Sequence, residues 1–211
     1  MRSIQTVCEE HRALREVLDA LELILRCQRA DDRLDADLAL EALEWLERFS
    51  DGLHQDREEL GLFPALLLRA PDRTREVLAS LLRWHADERA RILEMRARIE
   101  GAAYGDACSR DAFTCAALEY IELQRRHSQV EDAQILPLAR EVLLPEDDAR
   151  ILAEYQRIEQ RHLRPGEPAP SERSRELVAS AAHRVLERQA SLLPARSRSL
   201  RPAPQPPSAR A

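Results

Sequence analysis

Apolar residues recur every three and four positions along most of the chain, the period of a helix with one buried face. Over residues 3–29 the row Ile4, Val7, Leu14, Leu18, Leu21 and Leu25 predicts a first helix, ended by Ala30, Asp31 and Asp32. A second pattern covers 35–69. Pro64 is expected to kink or interrupt it, because proline lacks an N–H and crowds the preceding turn. Pro71 and Asp72 open a third helix that reaches about residue 100, where Gly101 and Gly105 are expected to break it. A fourth runs over 108–142 with a bend at Pro137, and Pro145 starts a shorter one to 162. Long helices joined by short loops pack antiparallel. The fold class is therefore all-α, an up-down-up-down four-helix bundle over 1–145 with additional C-terminal helices. A short helix follows over 146–164, and 165–193 holds a Pro/Gly linker and an amphipathic helix. Residues 194–211, rich in Pro, Ser and Arg, carry too little apolar content to fold alone and read as a disordered tail.

Composition agrees with helices and removes several functions. Aromatic residues are 4% and charged residues 33% of the 211, against the β-branched and aromatic bias of strands. The net charge of −6 argues against a nucleic-acid partner. The 32 basic residues are all Arg, which excludes lysine chemistry. Cys8, Cys27, Cys108 and Cys115 form no CxxC pair, so a zinc finger or dithiol redox site is not expected. No stretch is apolar enough for a signal peptide or a membrane span. The expected setting is soluble, reducing and cytoplasmic.

The histidines change the picture. His11 interrupts the apolar row of the first helix. His85 and Glu88 lie in the third row with Leu78, Leu81, Ile92 and Met95. His127 and Glu131 lie in the fourth row, after Tyr120 and Gln124 and before Ile135. In the second helix His54 and Glu58 follow Leu46 and Ser50 at steps of four. Helix lengths put all four histidines near one level, within roughly 10 Å. Two helices carry one module, H-x3-E: "HQDREELGLFP" at 54–64 and "HSQVEDAQILP" at 127–137. Residues four apart share a helix face, so each pair offers one nitrogen and one oxygen. Buried ionised carboxylates are costly unless paired or bound to a cation, and this donor mixture suits iron, zinc or manganese. Carboxylates from two helices favour a dinuclear site over a lone ion. His162 and His183 lie outside this layer and read as incidental.

The segments EHRAL in the first helix, HQDREELGLFP in the second, WHADER in the third and HSQVEDAQILPLA in the fourth, followed by REVLLPEDDARI, together resemble the hemerythrin-like (HHE, cation-binding) family over about residues 3–160. The resemblance implies two non-haem iron ions, which an oxo group can bridge, with zinc or manganese as lesser alternatives. It makes His11, His54, His85 and His127 nitrogen ligands and Glu58 and Glu131 bridging carboxylates. The oxygen carriers of the family have a second histidine on the third helix, where this chain has Leu81, and an Asp where it has Glu131. Glu88, water or an open position takes the place of the missing ligand. Tyr120 reads as a core residue, and Gln124 is near enough to hydrogen-bond a bound ligand.

The function expected is binding of O2, NO or peroxide, or iron sensing or handling, rather than reversible O2 carriage. A di-iron enzyme that detoxifies peroxide or NO is the alternative, as is an interaction protein with a structural metal. The partner expected is a small diatomic or peroxide ligand, with no nucleic acid and no membrane. Residues 171–193 offer an apolar face to a second copy, to a protein partner or to the bundle itself.

Overall fold

A computed structural model describes residues 1–31, 33–164, 166 and 170–192. They form six helices. These are α1 Arg2–Asp31, α2 over 36–69, α3 Pro71–Ala103, α4 over 107–142, α5 Pro145–His162 and α6 Pro170–Leu192. No helix among the described residues is long and apolar enough to cross a membrane. The tail 194–211 and most of the linker lie outside the described residues.

Caps and turns set the ends. Asp35 accepts from Leu38 N–H at 3.4 Å to start α2, and Asp106 accepts from Ser109 N–H at 2.9 Å to start α4. Gly101 does not break α3, contrary to the sequence expectation. It stays helical, and Ser109 of α4 fills the space a Cβ would take. The turn falls at Gly105, whose φ of +87° suits glycine.

Pro64 does not interrupt its helix, and Pro137 also lies within a continuous one. A π-helical turn precedes each, Glu58–Leu62 and Glu131–Ile135. There Phe63 N–H bonds to Glu58 O and Leu136 N–H to Glu131 O, five residues back. The ladder is thus already shifted where each proline withholds its donor. A longer π stretch, Leu46–His54, lies earlier in α2. Its effect is on register. A step of four residues turns about 400° on an α-helix, so a four-step row drifts by about 40° each time. The wider π turns cancel that drift, and Leu46, Ser50, His54, Glu58 and Leu62 are all buried.

Two apolar cores result. One holds Leu14, Leu18, Leu43, Phe113 and Tyr120 among others. The second, at the opposite end, holds Ile4, Leu62, Leu66, Leu81 and Ile135. Each buried aliphatic side chain contributes about 1.5–3 kcal/mol. The buried histidines and glutamates lie in the layer between the two.

The C-terminal helices wrap this bundle. α6 lies along α1 and α2, burying Ser174, Leu177 and Ala181, so its apolar face meets the bundle. α5 lies against α1 and α2. Gly61 admits it, since a Cβ there would lie 2.8 Å from the Tyr155 ring. His162 of α5 pairs with Asp56 at 2.8 Å, while His183 is exposed beside Glu187. Asp148 of α5 accepts from Arg2 N–H and Ser3 N–H at 3.1 and 3.0 Å, capping α1 across the chain.

Asp147 fixes the start of α5. Its buried carboxylate accepts from Leu144 N–H at 2.9 Å and from Arg69 Nε at 2.7 Å. The Arg69 bond, above all, holds its pKa down to about 2, from 3.8. A carboxylate with a lowered pKa stabilises the fold above its unfolded pKa and loses that contribution as pH falls through the folded one. Asp147→Asn should therefore cost about 1–2 kcal/mol. In thermal melts the gap between wild type and variant should be full above pH ~4 and gone below pH ~2.

Candidate metal centre

The side chains in the middle layer come from all four bundle helices and meet at their inner atoms. His11 Nε2 lies 3.2 Å from Glu131 Oε2 and 3.9 Å from Glu58 Oε1. His54 Nε2 lies 3.5 Å from Glu58 Oε1. On the other side, His85 Nε2 lies 3.4 Å from Glu58 Oε2, and His127 Nε2 3.2 Å from Glu131 Oε1. The two groups are His11, His54, Glu58, Glu131 and Glu58, His85, His127, Glu131, each with its ligand atoms within 4.8 Å of one another. Both groups contain both glutamates. Each glutamate turns one oxygen to each histidine pair.

These atoms fit a cation. His11 Nε2 and all four oxygens of Glu58 and Glu131 are buried and make no hydrogen bond. The close N···O contacts are not aligned as hydrogen bonds. His85 Nε2 and His127 Nε2 point at each other across 3.2 Å, a contact that neither two lone pairs nor two N–H groups would favour. Two buried carboxylates without donors are costly unless a cation answers them.

The outer nitrogens explain why the inner ones are free. Each Nδ1 bonds to a carboxylate of the neighbouring helix: His54 to Glu10 at 2.8 Å, His85 to Glu59 at 2.7 Å, His127 to Glu88 at 2.9 Å and His11 to Asp132 at 2.8 Å. An ionised carboxylate only accepts, so Nδ1 keeps its proton, and Nε2 is the atom that gives up a proton and turns its lone pair inward when a cation binds. Such outer partners orient a metal-binding imidazole. Glu88 thus lies on the outer nitrogen of His127, where Gln55 Nε2 also donates to it at 2.8 Å. It is not among the atoms that converge inside. Leu81 is fully buried in the lower core.

Sequence reasoning did not single out Glu10, Glu59 or Asp132 for this work. The signal was adjacency, since each stands next to a ligand-bearing position: Glu10 before His11, Glu59 after Glu58, Asp132 after Glu131. Apolar rings close the layer. Phe63 stacks on His85 at 6.0 Å and Phe49 on His54 at 6.5 Å between centroids. Tyr120 is buried, 3.2 Å from Ser50 Oγ, and Gln124 Nε2 donates to the same oxygen at 2.6 Å.

Electrostatics follow from burial and crowding. Burial opposes a charged His85, but its contacts with Glu58 and Glu59 outweigh this and raise its pKa to about 9. Burial also opposes charge on His11 and His127, and their carboxylate neighbours again win, so both are raised. Burial pushes His54 down to about 4. Burial would raise Glu58, but the surrounding histidines hold it well below the usual carboxylate range. The metal-free cluster therefore stores protons on histidine.

A family model described as the Hemerythrin HHE cation binding domain matches residues 2–139. Uncharacterized proteins of Mycobacterium tuberculosis and Mycobacterium bovis are each 27% identical over 141 residues, 66% of this chain and 54% of theirs. The chain thus spans about half the length of the curated relatives it matches. No solved structure matches it.

Metal uptake should displace the stored protons. Apparent affinity for a divalent metal should rise with pH as His11, His85 and His127, all raised, give up their protons. Calorimetric titration in two buffers of different ionisation heat measures the release. Equal heats in both would contradict this protonation pattern.

Proposed function

Because the chain belongs to the hemerythrin HHE cation-binding family, we propose that its buried cluster holds two non-haem iron ions, and that the protein senses or handles O2, NO, peroxide or iron rather than carrying O2 reversibly. The observation that carries this reading is the sharing of Glu58 and Glu131 by both ligand groups. Two positions with common carboxylates suit a pair of ions better than one.

The donor set supports iron. Four imidazoles and two carboxylates make a borderline nitrogen and oxygen environment, and no thiol takes part. The third helix gives one histidine and, a turn earlier, the buried Leu81. The centre is therefore richer in oxygen donors than one with an added imidazole, which favours ferric over ferrous iron. Bound iron would supply redox electrons and a coordination position for a small ligand. The chain supplies the rest. Leu81, Phe63 and Leu62 exclude water on one side. On the other, Ser50 holds the amide of Gln124 one turn before His127.

Elemental analysis of aerobically purified protein should find about two irons per chain. His54→Ala removes a donor from one position and should leave about one. Glu131→Ala removes an oxygen from both and should lower the content of both. Zinc, or one metal in the wild type, would overturn the di-iron reading. A reversible oxy complex would overturn the functional half of it.

A further inference from the structure

The four carboxylates that hold the histidines are themselves held, and one of them from outside the bundle. Arg15 grips Asp132, Arg89 grips Glu59 and Gln55 grips Glu88, all within α1–α4. Glu10 differs. Its partner Arg57 is paired also with Glu159 of α5. α5 follows residues 2–139, the part that matches the family.

The division of atoms is specific. Arg57 Nη1 meets Glu10 Oε1, which leaves Oε2 for His54 Nδ1–H at 2.8 Å. Arg57 Nη2 meets Glu159 Oε1. The guanidinium is buried, and its carbon lies 5.4 Å from the centre of the Tyr155 ring. Tyr155 in turn rests against Gly61. A guanidinium stays charged in such a place, and here it hydrogen-bonds Glu159 and forms an ion pair with Glu10. It fixes the rotation of the Glu10 carboxylate. That fixes the plane and tautomer of His54, whose Nε2 then faces Glu58 Oε1.

We propose that Arg57 and Glu159 are positioning residues of the metal position formed around His11 and His54, and that α5 is thereby a working part of the centre. This rests on the cluster being a metal centre. The position around His85 and His127 has its own supports, none of them on α5, so the effect falls on one of two ions. Coupling is reciprocal. What α5 contributes to metal retention, the metal contributes to the docking of α5.

The test uses the full chain, iron-loaded, as wild type and as Glu159→Gln, Arg57→Lys and Arg157→Gln. Arg157 is 71% exposed and bonded within α5, so its variant is the control. Iron loss is followed against a graded chelator, by metal content and by the absorption spectrum. Amide hydrogen exchange over 151–159 is measured with and without metal. In Glu159→Gln one of the two ions should leave at about ten-fold lower chelator, with the spectrum changed, while the second leaves as in wild type. Arg57→Lys, which keeps the charge and loses the fork, should fall between them. In wild type, α5 amides should exchange more slowly with metal bound, and this difference should shrink in Glu159→Gln. Equal loss of both ions, or α5 exchange indifferent to metal, would overturn the proposal and leave the metal centre standing. A wild type that binds no metal would overturn both.

Discussion

The bond between a histidine Nδ1 and a carboxylate on the next helix is the interaction on which this structure turns. It occurs four times and closes on itself. α1 holds the histidine of α2, α2 that of α3, α3 that of α4, and α4 that of α1. Each bond fixes a tautomer and a ring plane, and each also joins two helices. The ring that aims the inner nitrogens is thus the same ring that clamps the bundle at mid-height. Function and packing are not separable in this layer.

The layer is costly on its own. Four histidines and the carboxylates of Glu10, Glu58, Glu88 and Glu131 lie buried between two apolar cores, and the oxygens of Glu58 and Glu131 have no donor. The cores on either side offset this, but only a charge of opposite sign removes it at the source. Protons do so in part, on the histidines. A cation does so more fully, because one ion answers several donors at once. The π turns belong to the same economy of shape. They keep a row of five side chains inward along α2, which a regular helix would carry around to solvent.

Much of this was legible in the chain. Apolar periodicity, the polar stop at Ala30–Asp32, Pro71 and Gly105 placed the bundle helices close to their observed bounds. The histidines stood out because a polar residue in an apolar row is rare. The H-x3-E pairs stood out because residues four apart share a face. At the prolines the sequence signalled a local irregularity but not its kind, since π turns are not written in composition. Gly101 misled: its missing Cβ serves a neighbouring helix and not its own. The outer carboxylates were hidden because their partners lie on other helices. Asp132 and His11 are 121 positions apart, and no local pattern joins them. Glu88 was noticed for its place in a core row, but only the three-dimensional arrangement shows which nitrogen of which histidine it faces.

The sharing of Glu131 has a consequence for how the molecule comes into being. The first half of the chain makes His11, His54 and Glu58, three of the four members of one donor group. Yet neither position is complete without Glu131, which lies on the last bundle helix. A chain emerging from the ribosome passes through every earlier stage without a finished cage. Both groups need the last bundle helix, so neither set of donors is whole before α4 has docked and returned to α1.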